Sequence, residues 1–220
     1  MGRKAVIGDD RARTVLAQEA ARIIVEQGIQ DYRVAKKKAA ERLGMSGRGA
    51  LPGNFEIEQA VAEHLQIFQS DTHHSLLHSL RVAALSAMEF LSPFTPRLVG
   101  PVLAGTAGEY SSVNLHLFAD SAEQVAFHLD ADGVVYKPFD RRYRGRKGKS
   151  QVCSAFAFIH DDSDIEATVF PYDGLRQAPL SPVDGKPMRR ADARKVQALV
   201  TGRQPLADVD QALPETNGYA

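Results

Sequence analysis

Asn114 and His116 stand two residues apart in the run Ser112-Val113-Asn114-Leu115-His116-Leu117, where polar and apolar side chains alternate. Successive side chains of an extended strand point to opposite faces, so positions 114 and 116 share one face while Val113, Leu115 and Leu117 enter a core. A same-face pair at this spacing can grip one ligand or one ion. Asparagine offers a neutral oxygen, and histidine a nitrogen that suits Zn²⁺ or Mn²⁺ better than Mg²⁺. In Ile165-Glu166-Ala167-Thr168-Val169-Phe170, Glu166 and Thr168 share a face for the same reason. A neighbouring strand would therefore bring one carboxylate to Asn114 and His116. These three residues are the candidate catalytic set, with His116 and Glu166 the candidate metal ligands.

Upstream lies a glycine turn, Gly105-Thr106-Ala107-Gly108, followed by Ser111 and Ser112. Its backbone amides and hydroxyls make Gly105, Thr106, Ser111 and Ser112 candidates for cradling phosphate, although a turn after a strand needs no ligand to explain it. Arg176 and Arg189, in a proline-rich stretch after the last strand, are candidate anion binders. Other clusters read more plainly. His73, His74 and His78 fall on one helix and fit a packing role, Asp161, Asp162 and Asp164 a solvated turn, and Cys153 a small core residue. The segment 141–149, with Tyr143 among many cations, is either a solvated hairpin tip or a contact for nucleic acid, nucleotide phosphate or a protein partner.

Elements that would position these residues follow from periodicity. Apolar residues at helical spacing predict a helix over 10–27, stopped by Gly28. A second helix begins at an Asp31 cap and runs to Gly44, with Lys36, Lys37 and Lys38 as a solvated face. Asn54 is expected to cap a third helix through Phe68, and a fourth spans 72–91 before Pro93 and Pro96. The grammar then changes to strands over 98–103 and 113–118, a helix over 122–129, and strands over 134–136, 152–159 and 165–170, with a short helix near 192–200. The expected class is α+β: a helical region over 1–92, a mixed β-sheet with flanking helices over 93–205, and a disordered tail over 206–220.

Composition narrows the function. Lys+Arg and Asp+Glu both number 27, yet residues 1–50 hold 11 cations against 6 acids and 137–149 hold 7 against one. A neutral chain with local basic patches can attract phosphate at short range without long-range steering to a duplex. One cysteine excludes an intramolecular disulfide and a cysteine-based zinc cluster. A charged start and the lack of a long apolar run lead to the expectation of a cytoplasmic protein with no membrane association.

The glycine turn, the Ser112-Val113-Asn114-Leu115-His116 strand and the later Glu166 strand together resemble the nucleotidyltransferase superfamily, of the polymerase-β-like fold. The resemblance covers roughly residues 10–200. Members carry Gly-Ser at the end of a strand and then Ser-Asp-hydrophobic-Asp about ten residues on; Gly105-Thr106 and Ser112 to His116 correspond, with Asn and His in place of both acids. The resemblance implies a nucleoside triphosphate as ligand, a divalent metal (Mg²⁺, Mn²⁺ or Zn²⁺), and Glu166 as the third acid. Two missing carboxylates remove the charge that balances Mg²⁺. The expectation is thus a nucleotide- or phosphate-binding member with weak or absent Mg²⁺-dependent transfer, against two alternatives: an active enzyme with a non-standard metal site, and a nucleic-acid-binding helical module. The turn also echoes the phosphate loop of the Mur ligases, but Glu109 stands where lysine is required and the chain is too short for such a ligase.

Overall fold

The computed structural model describes residues 3–29, 31–45, 51–68, 70–145 and 150–202. Leu16, Ala17, Ala20, Ala21, Ile23 and Val25 form the buried stripe of helix α1 (Arg3–Gln27), which ends at Gly28 with φ of 64°. Asp31 caps α2 (Tyr32–Arg42), its side chain accepting from the amide of Arg33 at 2.7 Å. The third helix, α3 (Asn54–Phe68), departs from expectation at its start. Glu56 reaches back to the Gly53 amide at 2.6 Å, while the Asn54 side-chain amide donates instead to the carbonyl of Pro182 at 2.7 Å. Ile57, Val61 and Leu65 complete one buried cluster with α1 and α2. Full burial of each such side chain stabilises the fold by about 1.5–3 kcal/mol.

Helix α4 (Ser70–Phe90) belongs to the other cluster, burying Leu77, Ala84, Ala87, Met88 and the following Leu91 with the sheet residues Leu98, Leu115, Leu117, Ile165 and Ala167. The buried clusters therefore part between α3 and α4, upstream of residue 92. The expected tail over 206–220 lies outside the described residues.

The protein is α+β, with seven helices and a five-stranded mixed sheet among the described residues. Strands β1 (Arg97–Val99), β2 (Val113–Phe118), β3 (Tyr136–Arg144), β4 (Ser150–His160) and β5 (Ser163–Phe170) lie in the order β1-β2-β5-β4-β3. Only β2 and β5 are parallel, with Asn114 opposite Glu166 and His116 opposite Thr168. Residues 100–103 were expected to continue the first strand, but the chain turns at Gly100 (φ 73°) and forms α5 (Gly100–Ala104) with Pro101 in its first turn. Proline there costs no hydrogen bond and has φ preset for a helix. Residues 141–144, expected in a mobile hairpin or loop over 141–149, are the end of β3, which pairs with β4 from Tyr136–Phe158 to Arg144–Ser150.

Leu115, Leu117, Ile165 and Val169 face α4, α6 (Ala122–Ala131) and α7 (Ala193–Thr201). The opposite face carries Asn114, His116, Glu166 and Thr168 and is crossed by the segment 171–190. Leu180 donates its amide to the Arg144 carbonyl at 2.7 Å, and Met188 packs with Phe118, Tyr143, Cys153 and Phe170. Ala191 then exchanges backbone hydrogen bonds with Leu98 on the edge strand, at 2.8 and 3.0 Å.

Candidate functional site

Alternation along β2 and β5 puts Asn114, His116, Glu166 and Thr168 on the face away from the helices, as the sequence predicts. Asn114, His116 and Thr168 are the three buried polar residues among those described, with relative exposures of 8%, 0% and 0%. Polar groups buried this deeply need partners, and each has them.

At the N-terminal end of this row Arg141 of β3 reaches over β4. Its Nη1 donates to Asn114 Oδ1 at 2.9 Å, and its Nη2 forms a short ion pair with Glu166 Oε2. The strand it crosses carries Ala155 and Ala157 on this face, small enough to leave room for the side chain. The aromatic ring of Phe139 lies 5.4 Å from the guanidinium carbon. The Asn114 amide also donates to the Ser112 carbonyl at 3.1 Å. The glycine beside Asn114 is Gly100, immediately after β1: a Cβ there would lie 3.5 Å from Asn114 Nδ2.

One step along the strands, His116 joins a buried chain. Arg190 donates from Nε to His116 Nδ1 at 3.0 Å. Arginine can only donate, so Nδ1 accepts, the ring proton is on Nε2, and the imidazole is neutral. Nε2 then donates to the Tyr143 hydroxyl at 3.2 Å, and the Tyr143 and Thr168 hydroxyls share a further hydrogen bond at 3.2 Å. Burial, followed by the positive charges of Arg190 and Arg141, holds the His116 pKa well below its ordinary 6.5. Burial also pushes Tyr143 up and Arg190 down to about 10. The Arg190 guanidinium sits 5.0 and 5.3 Å from the ring centres of Phe118 and Phe170, and its Nη1 donates to the Gly174 carbonyl at 2.5 Å.

The remaining candidates are dispersed. Thr106 donates its hydroxyl to Glu58 of α3 at 2.6 Å, and the other Glu58 oxygen accepts from Tyr32 at 2.5 Å. Ser111 accepts from the Gly108 amide at 2.9 Å, closing the glycine turn on itself, and Gly105 caps α5 with φ of 88°. Arg176 and Arg189 are exposed. Of the basic segment, 146–149 lie outside the described residues. His73 bonds the Ala107 carbonyl at 3.1 Å, and Cys153 is buried with its thiol pushed up to about 11 by burial.

Sequence reasoning held Arg141 and Tyr143 only as part of the basic segment 141–149, without joining them to the strand residues, and missed Arg190. Alternation within Phe139-Asp140-Arg141-Arg142-Tyr143-Arg144 was the available signal for the first two, since the odd positions face the sheet's polar side. Pairing of Ala191 with Leu98 selects Arg190 over Arg189, and no local pattern reports that.

The residues present do not fit a two-ion carboxylate site. Asn114 Oδ1 and Glu166 are both engaged by Arg141, and both ring nitrogens of His116 are in hydrogen bonds. The described residues contain no group of three His, Cys, Asp or Glu side chains arranged to hold an ion, and no helix long and apolar enough to cross a membrane. No family model matches the chain, and no curated protein matches it.

Proposed function

We propose that this chain is a nucleotidyltransferase-like protein that binds a nucleotide or another phosphate-bearing ligand on the polar face of its sheet, with weak or absent Mg²⁺-dependent transfer. The reading is supported by one observation: on adjacent parallel strands and on one face, where Gly100 and not the Gly105-Thr106 turn adjoins Asn114, Asn114 and Glu166 stand opposite each other. That is the arrangement in which the superfamily resemblance requires strand acids. Arg141, Arg190 and Arg97 supply positive charge around it, and a partly buried guanidinium binds phosphate oxygens more strongly than an exposed one. Asn114 and His116 lack the negative charge that binds Mg²⁺ pairs, which supports binding over transfer.

Isothermal titration of the full chain with nucleoside triphosphates, in EDTA and then with Mg²⁺, Mn²⁺ or Zn²⁺, tests the reading. Binding without metal, together with no label transferred from labelled triphosphate to protein or RNA, is the expected outcome. Absence of binding under every condition would overturn it.

A further inference from the structure

We propose that the guanidinium of Arg141 is the resident cation of this face: it bridges the two strand positions, Asn114 and Glu166, that a divalent ion would otherwise join, and it meets a phosphate-bearing ligand without metal.

The geometry is specific. Arg141 starts on the outermost strand and ends between β5 and β2, two and three strands away, donating one Nη to each. Strands are spaced about 4.8 Å apart, so only a long side chain crossing small residues can make this span. Ala155 and Ala157 provide the small crossing, and Phe139 lies against the guanidinium.

Charge matches as well. A divalent ion between strands calls for two or more carboxylates, whereas a guanidinium carries a single positive charge. One carboxylate, Glu166, balances it, and the neutral Asn114 supplies an oxygen without adding a second charge. The Asn that disqualifies the strand as an Mg²⁺ site is therefore the residue a single arginine needs. Those two bonds occupy two of the five guanidinium N–H donors, and Tyr143 interacts with the same guanidinium. The side chain keeps 29% of its surface exposed, enough for a phosphate oxygen to approach.

The second arm of the test rests on the phosphate-ligand reading; the first does not. In the first, Mn²⁺ is titrated into the full-length protein and followed by its paramagnetic resonance signal. Wild type is expected to show no stoichiometric uptake, and the double variant Arg141→Met, Asn114→Asp to bind Mn²⁺ at least about tenfold more tightly than wild type. In the second, ATP affinity of wild type in EDTA and in Mg²⁺ should agree within about twofold, while Arg141→Met loses about tenfold or more in EDTA. Arg141→Lys, which keeps the charge and loses the fork, should fall between, and thermal melts of each variant show whether it folds. Stoichiometric Mn²⁺ binding by wild type, or ATP affinity unchanged in folded Arg141→Met, overturns the proposal. If ATP fails to bind wild type in any condition, the nucleotide reading fails, and the Mn²⁺ comparison still decides whether Arg141 stands in for a metal.

Discussion

Arg190 and His116 are joined through Nε and Nδ1 at 3.0 Å, although one lies just before the last helix and the other in the second strand. The bond fixes the imidazole as neutral with its proton on Nε2, which donates to Tyr143, and the Tyr143 hydroxyl is bonded in turn to Thr168. It also pins the end of the crossing segment onto the sheet.

Replacing Arg190 by methionine keeps most of the apolar stem and removes the donor. Leaving a buried acceptor unsatisfied costs about 1–3 kcal/mol. Urea unfolding should show a loss in that range, and an unchanged midpoint would mean that the segment is held by its apolar contacts alone.

Removing the Tyr143 hydroxyl, as in Tyr143→Phe, deprives both His116 and Thr168 of a partner. Thr168→Val removes one of the same bonds. If the chain acts as a unit, the double variant should lose less stability than the two single losses summed, by about 0.5–3 kcal/mol of coupling. Strict additivity in denaturant melts would show that the bonds are independent.

Stability should fall in mild acid. With its folded pKa held well below 6.5, His116 takes up a proton more readily in the unfolded chain, so its contribution is complete above pH 6.5 and declines as pH drops below it. The slope from this one group cannot exceed about 1.4 kcal/mol per pH unit. Urea midpoints of wild type and His116→Gln, compared between neutral pH and mild acid, should converge toward a flatter dependence in the variant. Parallel profiles would place the titration elsewhere.

Thr106→Val tests whether the glycine turn is a phosphate cradle or a joint between helices and sheet. With its hydroxyl 2.6 Å from Glu58, Thr106 is already engaged. The variant should be less stable by about 1 kcal/mol and should bind ATP as wild type does. A loss of ATP affinity with stability intact would return the turn to the ligand site.

The strand logic of the site was legible because it is local. Alternation alone places Asn114 with His116 and Glu166 with Thr168, and the buried face of β2 follows from Val113, Leu115 and Leu117. The partners that decide the chemistry were not legible, because each comes from far along the chain. Arg141 was masked by a run of cations that reads as a hairpin tip or loop, when pairing with β4 carries the strand through residue 144. Thr106 is defined by Glu58, a residue 48 positions away, and that tertiary contact leaves no periodic trace. Gly100 was passed over because Val102 and Leu103 look like more strand, whereas the positive φ and the following proline end it.

The pairing of Leu98 with Ala191 has a consequence for how the molecule is assembled in time. The sheet's first strand is sealed by a stretch 93 residues further along the chain, and Arg190 arrives beside its neighbour. Closing so long a loop is entropically slow. The contacts among helices α1 to α3 close shorter loops than the Leu98–Ala191 pairing, so the expected order has the helices collapse before Arg190 reaches the polar face. Refolding should therefore recover helical circular dichroism before it recovers any ligand affinity.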